Sequence, residues 1–226
     1  MSLKNWKLTI NLISPLAGDP PALDAILEYE LAFRLGSKHS KKMTRDTPLS
    51  EIKRPGIPIC KKTICGVDVY RCSDPIISEP LAEWEERQAK RFDTDKNALM
   101  LHESQRKALL IASGPYKMRF TPTRVRLVDK VVYFFRGDKK QVNKLLKSIK
   151  SIGQKRSIGY GIVDSFEFEE QEKDKSIFSM QNGKKVLMKT IPLKGAFEST
   201  GYKKSFGGGH PPYWHPETFI EIAVPC

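Results

Sequence analysis

Between Gly153 and Gly161 the chain reads Gly-Gln-Lys-Arg-Ser-Ile-Gly-Tyr-Gly. Three glycines surround a Lys155–Arg156 pair, with Ser157 and Tyr160 between them. Glycine reaches positive φ without steric penalty and lets backbone come close to a ligand. Backbone N–H groups and two cations on one loop suit a phosphate. The order of elements says which kind. Nucleotide-binding loops run from a strand, through glycines, into a helix. Here a helical pattern ending near Lys150 comes first, and the strand pattern Ile162–Phe168 follows. That order argues against ATP or a dinucleotide and leaves a nucleic-acid backbone as the anion.

Other residue types are candidates for catalysis. Metal-free RNA cleavage needs a base for the 2′-hydroxyl and a donor for the leaving oxygen. Of His39, His102, His210 and His215, His39 is the candidate, because Lys38, Ser40 and Lys41 beside it would stabilise charge. A histidine on a basic surface loop is the ordinary alternative, and no fixed spacing supplies a partner. His-Glu-x-x-His and Gly-x-Ser-x-Gly patterns do not occur. Asp24 and Glu28 lie one helical turn apart, but with no metal motif beside them they read, with Glu30 and Arg34, as a solvated face. Cys60, Cys65 and Cys72 lack the paired knuckles of a zinc ribbon, and Cys226 stands alone. They read as reduced, partly buried thiols; no metal and no cofactor is expected.

The formal net charge is +13 over 226 residues, which calls for an anionic partner or surface. The charge is concentrated. Tyr116–Tyr160 holds thirteen basic residues against two acids. Residues 37–54 hold six, including Lys38, Lys41, Lys42 and Arg45, against two, and read equally as a solvated surface loop or as a basic arm on an RNA path. Residues 74–95 are acidic, seven against three, and are expected to face away from nucleic acid or to meet a basic neighbour. No apolar run approaches the roughly 20 residues of a membrane span, and Met1–Lys7 has no signal-peptide core. The expectation is a cytoplasmic protein with no membrane partner.

These residues need elements to position them. Trp6–Ile13 alternates as a first strand. From Ala22 to Leu35 apolar residues recur at three- and four-residue spacing, and Gly36 stands at the helix end. Ile57–Ile59 and Val67–Cys72 suggest two short strands around a Cys65-Gly66 turn, and Leu81 and Trp84 a short helix. Tyr116–Val128, carrying Arg119, Arg124 and Arg126, and Val131–Arg136 read as a hairpin turning at Asp129-Lys130. Val142, Leu145, Leu146 and Ile149 mark one face of a helix over Lys139–Lys150, with lysines on the other. Ile177–Met188 reads as a hairpin about Asn182-Gly183, and Phe219–Val224 as a final strand. The order β-α-β-β-α-β predicts an α+β, ferredoxin-like (RRM-like) domain over residues 1–169. It carries a large insertion at about 37–112, and a β-rich extension over 170–226 packs on it.

The run Gly-x-Lys-Arg-Ser-x-Gly-x-Gly between helix and strand resembles the glycine-rich loop of the RAMP superfamily of CRISPR-associated RNA-binding proteins. Leu12–Leu16 with Pro21–Leu27, and Pro211–Pro216, are similar to the opening and closing of the Cas-five-like subunit of type IV CRISPR complexes. The resemblance implies the same ferredoxin-like fold. It also implies a non-catalytic subunit that binds the 5′ handle of the guide RNA (crRNA) and caps a ribonucleoprotein of antiviral defence. Its partners would be backbone RAMP subunits, a large-subunit-like protein and, through the assembled complex, target DNA. On this reading the backbone amides of Gly153, Gly159 and Gly161 approach phosphates, and Lys155 and Arg156 neutralise them. Ser157, Tyr160, Arg119, Arg124 and Arg126 would extend the track. Two alternatives stand beside it: a metal-independent endoribonuclease using His39, and a basic scaffold that binds mainly partner proteins.

Overall fold

Side-chain alternation makes the first strand, β1 (Lys4–Leu12): Leu8 and Ile10 are fully buried, while Lys7, Thr9 and Asn11 alternate onto the opposite face. The computed structural model describes residues 3–35, 45–52, 54–90, 117, 119–193 and 201–226. Within them β1 is an inner strand of an antiparallel sheet, flanked by β8 (Lys130–Gly137) and β9 (Val163–Gln171). The short β5 (Ile76–Ile77) lies outside β8, which gives the order β5-β8-β1-β9. The registers set Leu8 opposite Tyr133 and Phe168, and Ile10 opposite Val131 and Phe166.

Two helices close this core. In α1 (Leu23–Leu35) Leu23, Ile26 and Leu27 point inward, and in α2 (Lys139–Leu146) Val142, Leu145 and Leu146 do. Burying each such side chain fully is worth about 1.5–3 kcal/mol. Asp138 starts α2 by accepting from the N–H groups of Lys140 and Gln141 at 2.8 and 3.2 Å, satisfying donors that the first turn leaves open. The helix ends at Leu146, a turn earlier than its apolar spacing predicts. The face of α1 expected to be solvated is partly inside, because Asp24 and Glu30 are buried.

The acidic segment is a strand, not the expected helix. β6 (Ala82–Lys90) forms a nine-residue ladder with β7 (Arg119–Leu127), with Glu83 opposite Arg126 and Glu85 opposite Arg124. Opposite charges on facing strands stabilise such a ladder by about 0.2–1 kcal/mol per pair. This pairing also displaces the expected hairpin. β7 pairs with β6 and with β2 (Leu16–Ala17), while β8 pairs with β1 and β5. The chain changes sheets at Val128–Asp129. Val128 is buried there, and the Asp129 carbonyl accepts from Leu12 N–H at 2.8 Å.

A second apolar cluster joins the inserted region to the C-terminal strands. The β3 (Lys61–Ile64) and β4 (Val67–Tyr70) hairpin turns at Cys65-Gly66, and Ile59 makes only an isolated bridge to Gly137. β10 (Phe178–Gln181) and β11 (Lys184–Leu187) turn at Asn182-Gly183, whose φ values of 50° and 74° suit the twist of a two-residue hairpin loop. β12 (Ile191–Pro192), β14 (Phe219–Pro225) and β13 (Tyr202–Gly208) form a sheet with β13 outermost. Val69 of β4 packs with Ile177, Leu187, Ile191, Leu193 and Ala223 from this half. No helix among the described residues is long and apolar enough to cross a membrane.

Candidate nucleic-acid interface

The glycine loop is held shut at its base by its own backbone. Val163 N–H donates to Lys150 O at 2.9 Å and Ile152 N–H to Gly161 O at 2.9 Å. The segment after β1 then receives it: Gln154 N–H reaches Ala17 O, Gly161 N–H reaches Pro15 O, and Ile162 N–H reaches Ser14 Oγ, each at 2.8 Å. Gly161 has φ 62°, and a Cβ there would sit 1.9 Å from the Ile152 carbonyl oxygen. At Gly153, φ 85°, a Cβ would lie 2.9 Å from Ala17 O. Two of the three glycines therefore serve close backbone approach within the chain. The expectation of three phosphate-facing amides is corrected accordingly, since Gly161 N–H is taken by Pro15 and Gly159 N–H by Arg156 O at 3.2 Å.

What faces outward is the arc from Arg156 to Gly159. Lys155 is left-handed at φ 52°, Arg156–Ile158 make a single 3-10 turn, and Gly159, φ 95°, has open space around it. Arg156, Ser157 and Ile158 are exposed. The Arg156 guanidinium lies 5.6 Å from the centre of the Tyr29 ring on α1. A hollow of about 330 Å³ separates α1 from the loop, lined by Pro21, Ala25, Tyr29, Lys150, Gly153 and Arg156 among others. Arg34 fixes the helix geometry beside it: its Nη2 donates to Lys144 O at 2.9 Å and to Ser148 Oγ at 2.5 Å, capping the carbonyl end of α2. Glu30 Oε1 holds its Nε at 2.8 Å.

The other predicted ligands divide. Arg119 is exposed. Arg124 is exposed but bidentate to Glu83, at 2.5 and 2.8 Å. Arg126 is buried, donating to Gly18 O at 2.9 Å and to the Asp19 carboxylate, so it belongs to the scaffold and not to a ligand track. The Tyr160 hydroxyl donates to Glu86, and that bond holds the Glu86 carboxyl below its ordinary range, with the Lys155 charge helping. Tyr160 is thereby committed to β6. The Lys155 ammonium is buried and has no hydrogen-bond partner among the described residues. Arg45 is exposed, whereas Lys38, His39, Lys41 and Lys42, with His102, lie outside the described residues. The acidic segment thus meets basic residues of its own chain. Sequence reasoning passed over Tyr29 and Phe33; their i, i+4 spacing, off the Leu23–Ile26–Leu27 face, was the available signal.

Asp24 and Glu28 are not a catalytic pair. Glu28 pairs with Arg54. Asp24, fully buried, accepts from the Tyr213 hydroxyl at 2.5 Å and faces the Lys189 ammonium at 3.5 Å. Lys189 Nζ also lies 3.5 Å from Cys72 Sγ and 3.4 Å from the Tyr213 oxygen. Burial alone would lower the Lys189 pKa, but the Asp24 carboxylate and its neighbours hold it well above the ordinary value. Burial, with the Asp24 charge, pushes the Cys72 thiol from 9.0 up to about 12. A raised thiol pKa makes the linked stability complete below pH 9 and lost as the pH climbs toward 12. Native protein should accordingly react with a thiol reagent at exposed Cys226 and leave Cys72 unmodified until denaturant or alkali opens the fold. Mass-spectrometric pulse labelling reads this directly; fast native labelling of Cys72 would contradict its burial.

The described residues form a strand-rich α+β fold with a basic, glycine-closed loop, and sequence comparison places the chain in a family. The family described as CRISPR type IV associated protein Csf3 matches residues 84–225. That span runs from β6 through β14 and includes the loop; the chain belongs to this family and so to the subunits of type IV CRISPR effector complexes. No curated protein matches the chain.

Proposed function

We propose that this chain is the Cas-five-like RAMP subunit of a cytoplasmic type IV effector, that it binds the 5′ handle of the guide RNA, and that it caps one end of the assembly. Its partners on this reading are the RNA, backbone subunits, a large-subunit-like protein and, through them, target DNA. The core of β1, α1, β8, α2 and β9 is read as ferredoxin-like, with β5 in the position beyond β8. The observation that carries the reading is the outward arc Arg156–Gly159, into which the exposed lysines Lys144, Lys147 and Lys150 lead along the chain. Backbone contacts of this kind supply sequence-independent affinity, and splayed single-stranded bases supply preference.

The test is binding of labelled repeat RNA by the purified chain without metal, read for retention and for cleavage. Wild type should retain the RNA uncut. Lys155→Ala/Arg156→Ala should bind about ten-fold more weakly, and its log K against log salt slope should be shallower by about 0.7, as expected for one lost contact to a single strand, that of the exposed Arg156, since the Lys155 ammonium is buried. Unchanged binding would overturn the role of the loop. A discrete product lost in His39→Ala would favour the nuclease, and binding indifferent to the handle would favour the scaffold.

A further inference from the structure

We infer that Tyr29 and Phe33 form a stacking platform for an unpaired base of the strand whose backbone crosses Arg156–Gly159; this rests on the RNA-binding reading above. The two rings are 60% and 73% exposed, on a helix whose other apolar face is buried. Their centroids are 6.5 Å apart and their planes only 16° from parallel, a stacked aromatic pair on the exposed side of α1 to which a flat base can be added. The Arg156 guanidinium at 5.6 Å from the Tyr29 centre joins that surface to the cationic loop.

The surroundings select the occupant. Tyr29 lines both the hollow beside α1 and a shallow depression shared with Ser151, Lys155, Arg156 and Ser157. A ligand there meets the Tyr29 ring, the Arg156 guanidinium and the serines Ser151 and Ser157. That combination suits a nucleotide, whose base is flat and apolar and whose phosphate is anionic. Of the carboxylates on α1, Asp24 is buried against Lys189, Glu30 is held by Arg34 and Glu28 by Arg54, so none opposes a phosphate. An apolar protein segment would use the rings but leave Arg156 without an anion. Stacking tolerates any base, so the platform adds affinity and fixes where along the strand a base is turned out, without reading its identity.

The test uses the full chain and single-stranded repeat RNA, followed by fluorescence anisotropy over a salt series. Tyr29→Ala and Phe33→Ala should each weaken binding about 5- to 150-fold, the span of alanine substitution at aromatic–base stacks. The salt slope should stay at its wild-type value, because no charge is removed. Phe33→Tyr should restore affinity. A scan of abasic nucleotides should find one position whose loss mimics Phe33→Ala in wild type and adds nothing in that variant. Normal binding by both alanine variants, with the Lys155→Ala/Arg156→Ala protein weakened, would overturn the platform and leave the loop reading intact. Weakened binding with no coupled abasic position would also overturn it, and would mark the face as a protein contact. Absence of RNA binding by wild type would overturn both.

Discussion

Asp24→Ala will lower the unfolding free energy by about 3–5 kcal/mol, because it leaves the buried Lys189 ammonium without its counter-charge. Both side chains are essentially inaccessible, at 0% and 1% exposure, so water cannot take over. The Tyr213 hydroxyl loses its acceptor in the same step. The damage is to a broken pair and does not measure what the intact pair contributes. Asp24→Leu/Lys189→Met, which removes both charges, should therefore recover most of the loss. Urea denaturation of wild type, both single variants and the double variant reads the coupling. Additive losses with no recovery would show that the pair is not the unit that matters. The cluster links α1, through Asp24, to Lys189 and Tyr213 of the C-terminal half and Cys72 of the inserted region. Its loss should loosen the seam between the two apolar clusters before either cluster melts.

Gly161→Ala is the second large effect. The left-handed backbone at φ 62° costs a non-glycine residue about 1–2 kcal/mol. The new Cβ would also stand 1.9 Å from the Ile152 carbonyl oxygen, a backbone atom that cannot rotate aside, and overpacking of that kind adds about 1–3 kcal/mol. Gly159→Ala is the matched control. Its φ of 95° carries the backbone term, but nothing lies within 4 Å of the added carbon. Thermal melts should separate the two by several degrees, Gly161→Ala the lower. Equal melting would mean that loop closure does not depend on that close approach.

The elements that the sequence shows well are those stabilised by their own pattern. β1 alternates, α1 and α2 repeat their apolar residues at helical spacing, and Asn182-Gly183 marks its hairpin. β6 was hidden because it is exposed along nearly its whole length and has no buried face to alternate. What makes it a strand is β7, some forty residues away across the ladder, where glutamates meet arginines. The expected β7–β8 hairpin failed for a related reason: a local turn signal at Asp129-Lys130 competes with β6, β2, β1 and β5, and those partners take both strands. In the candidate site, the glycine loop was visible as a motif, but its internal hydrogen bonds were not. Motif spacing says where glycine is tolerated, whereas only the fold says whether the freed space admits a ligand or the chain's own carbonyls. Arg126 shows the same limit, since its charge was legible and its burial beside Asp19 was not.

Among the described residues β13 has a neighbour on one side only, and β9 likewise ends its sheet. Each outer strand offers a row of unused peptide groups that a second molecule can extend. The two rims are oppositely dressed: Lys203 and Lys204 stand exposed on β13, and Glu167, Glu169 and Glu170 on β9. Like rims of two free copies repel, which disfavours pairing of β13 with β13 or of β9 with β9 and leaves each rim to a partner of the opposite charge.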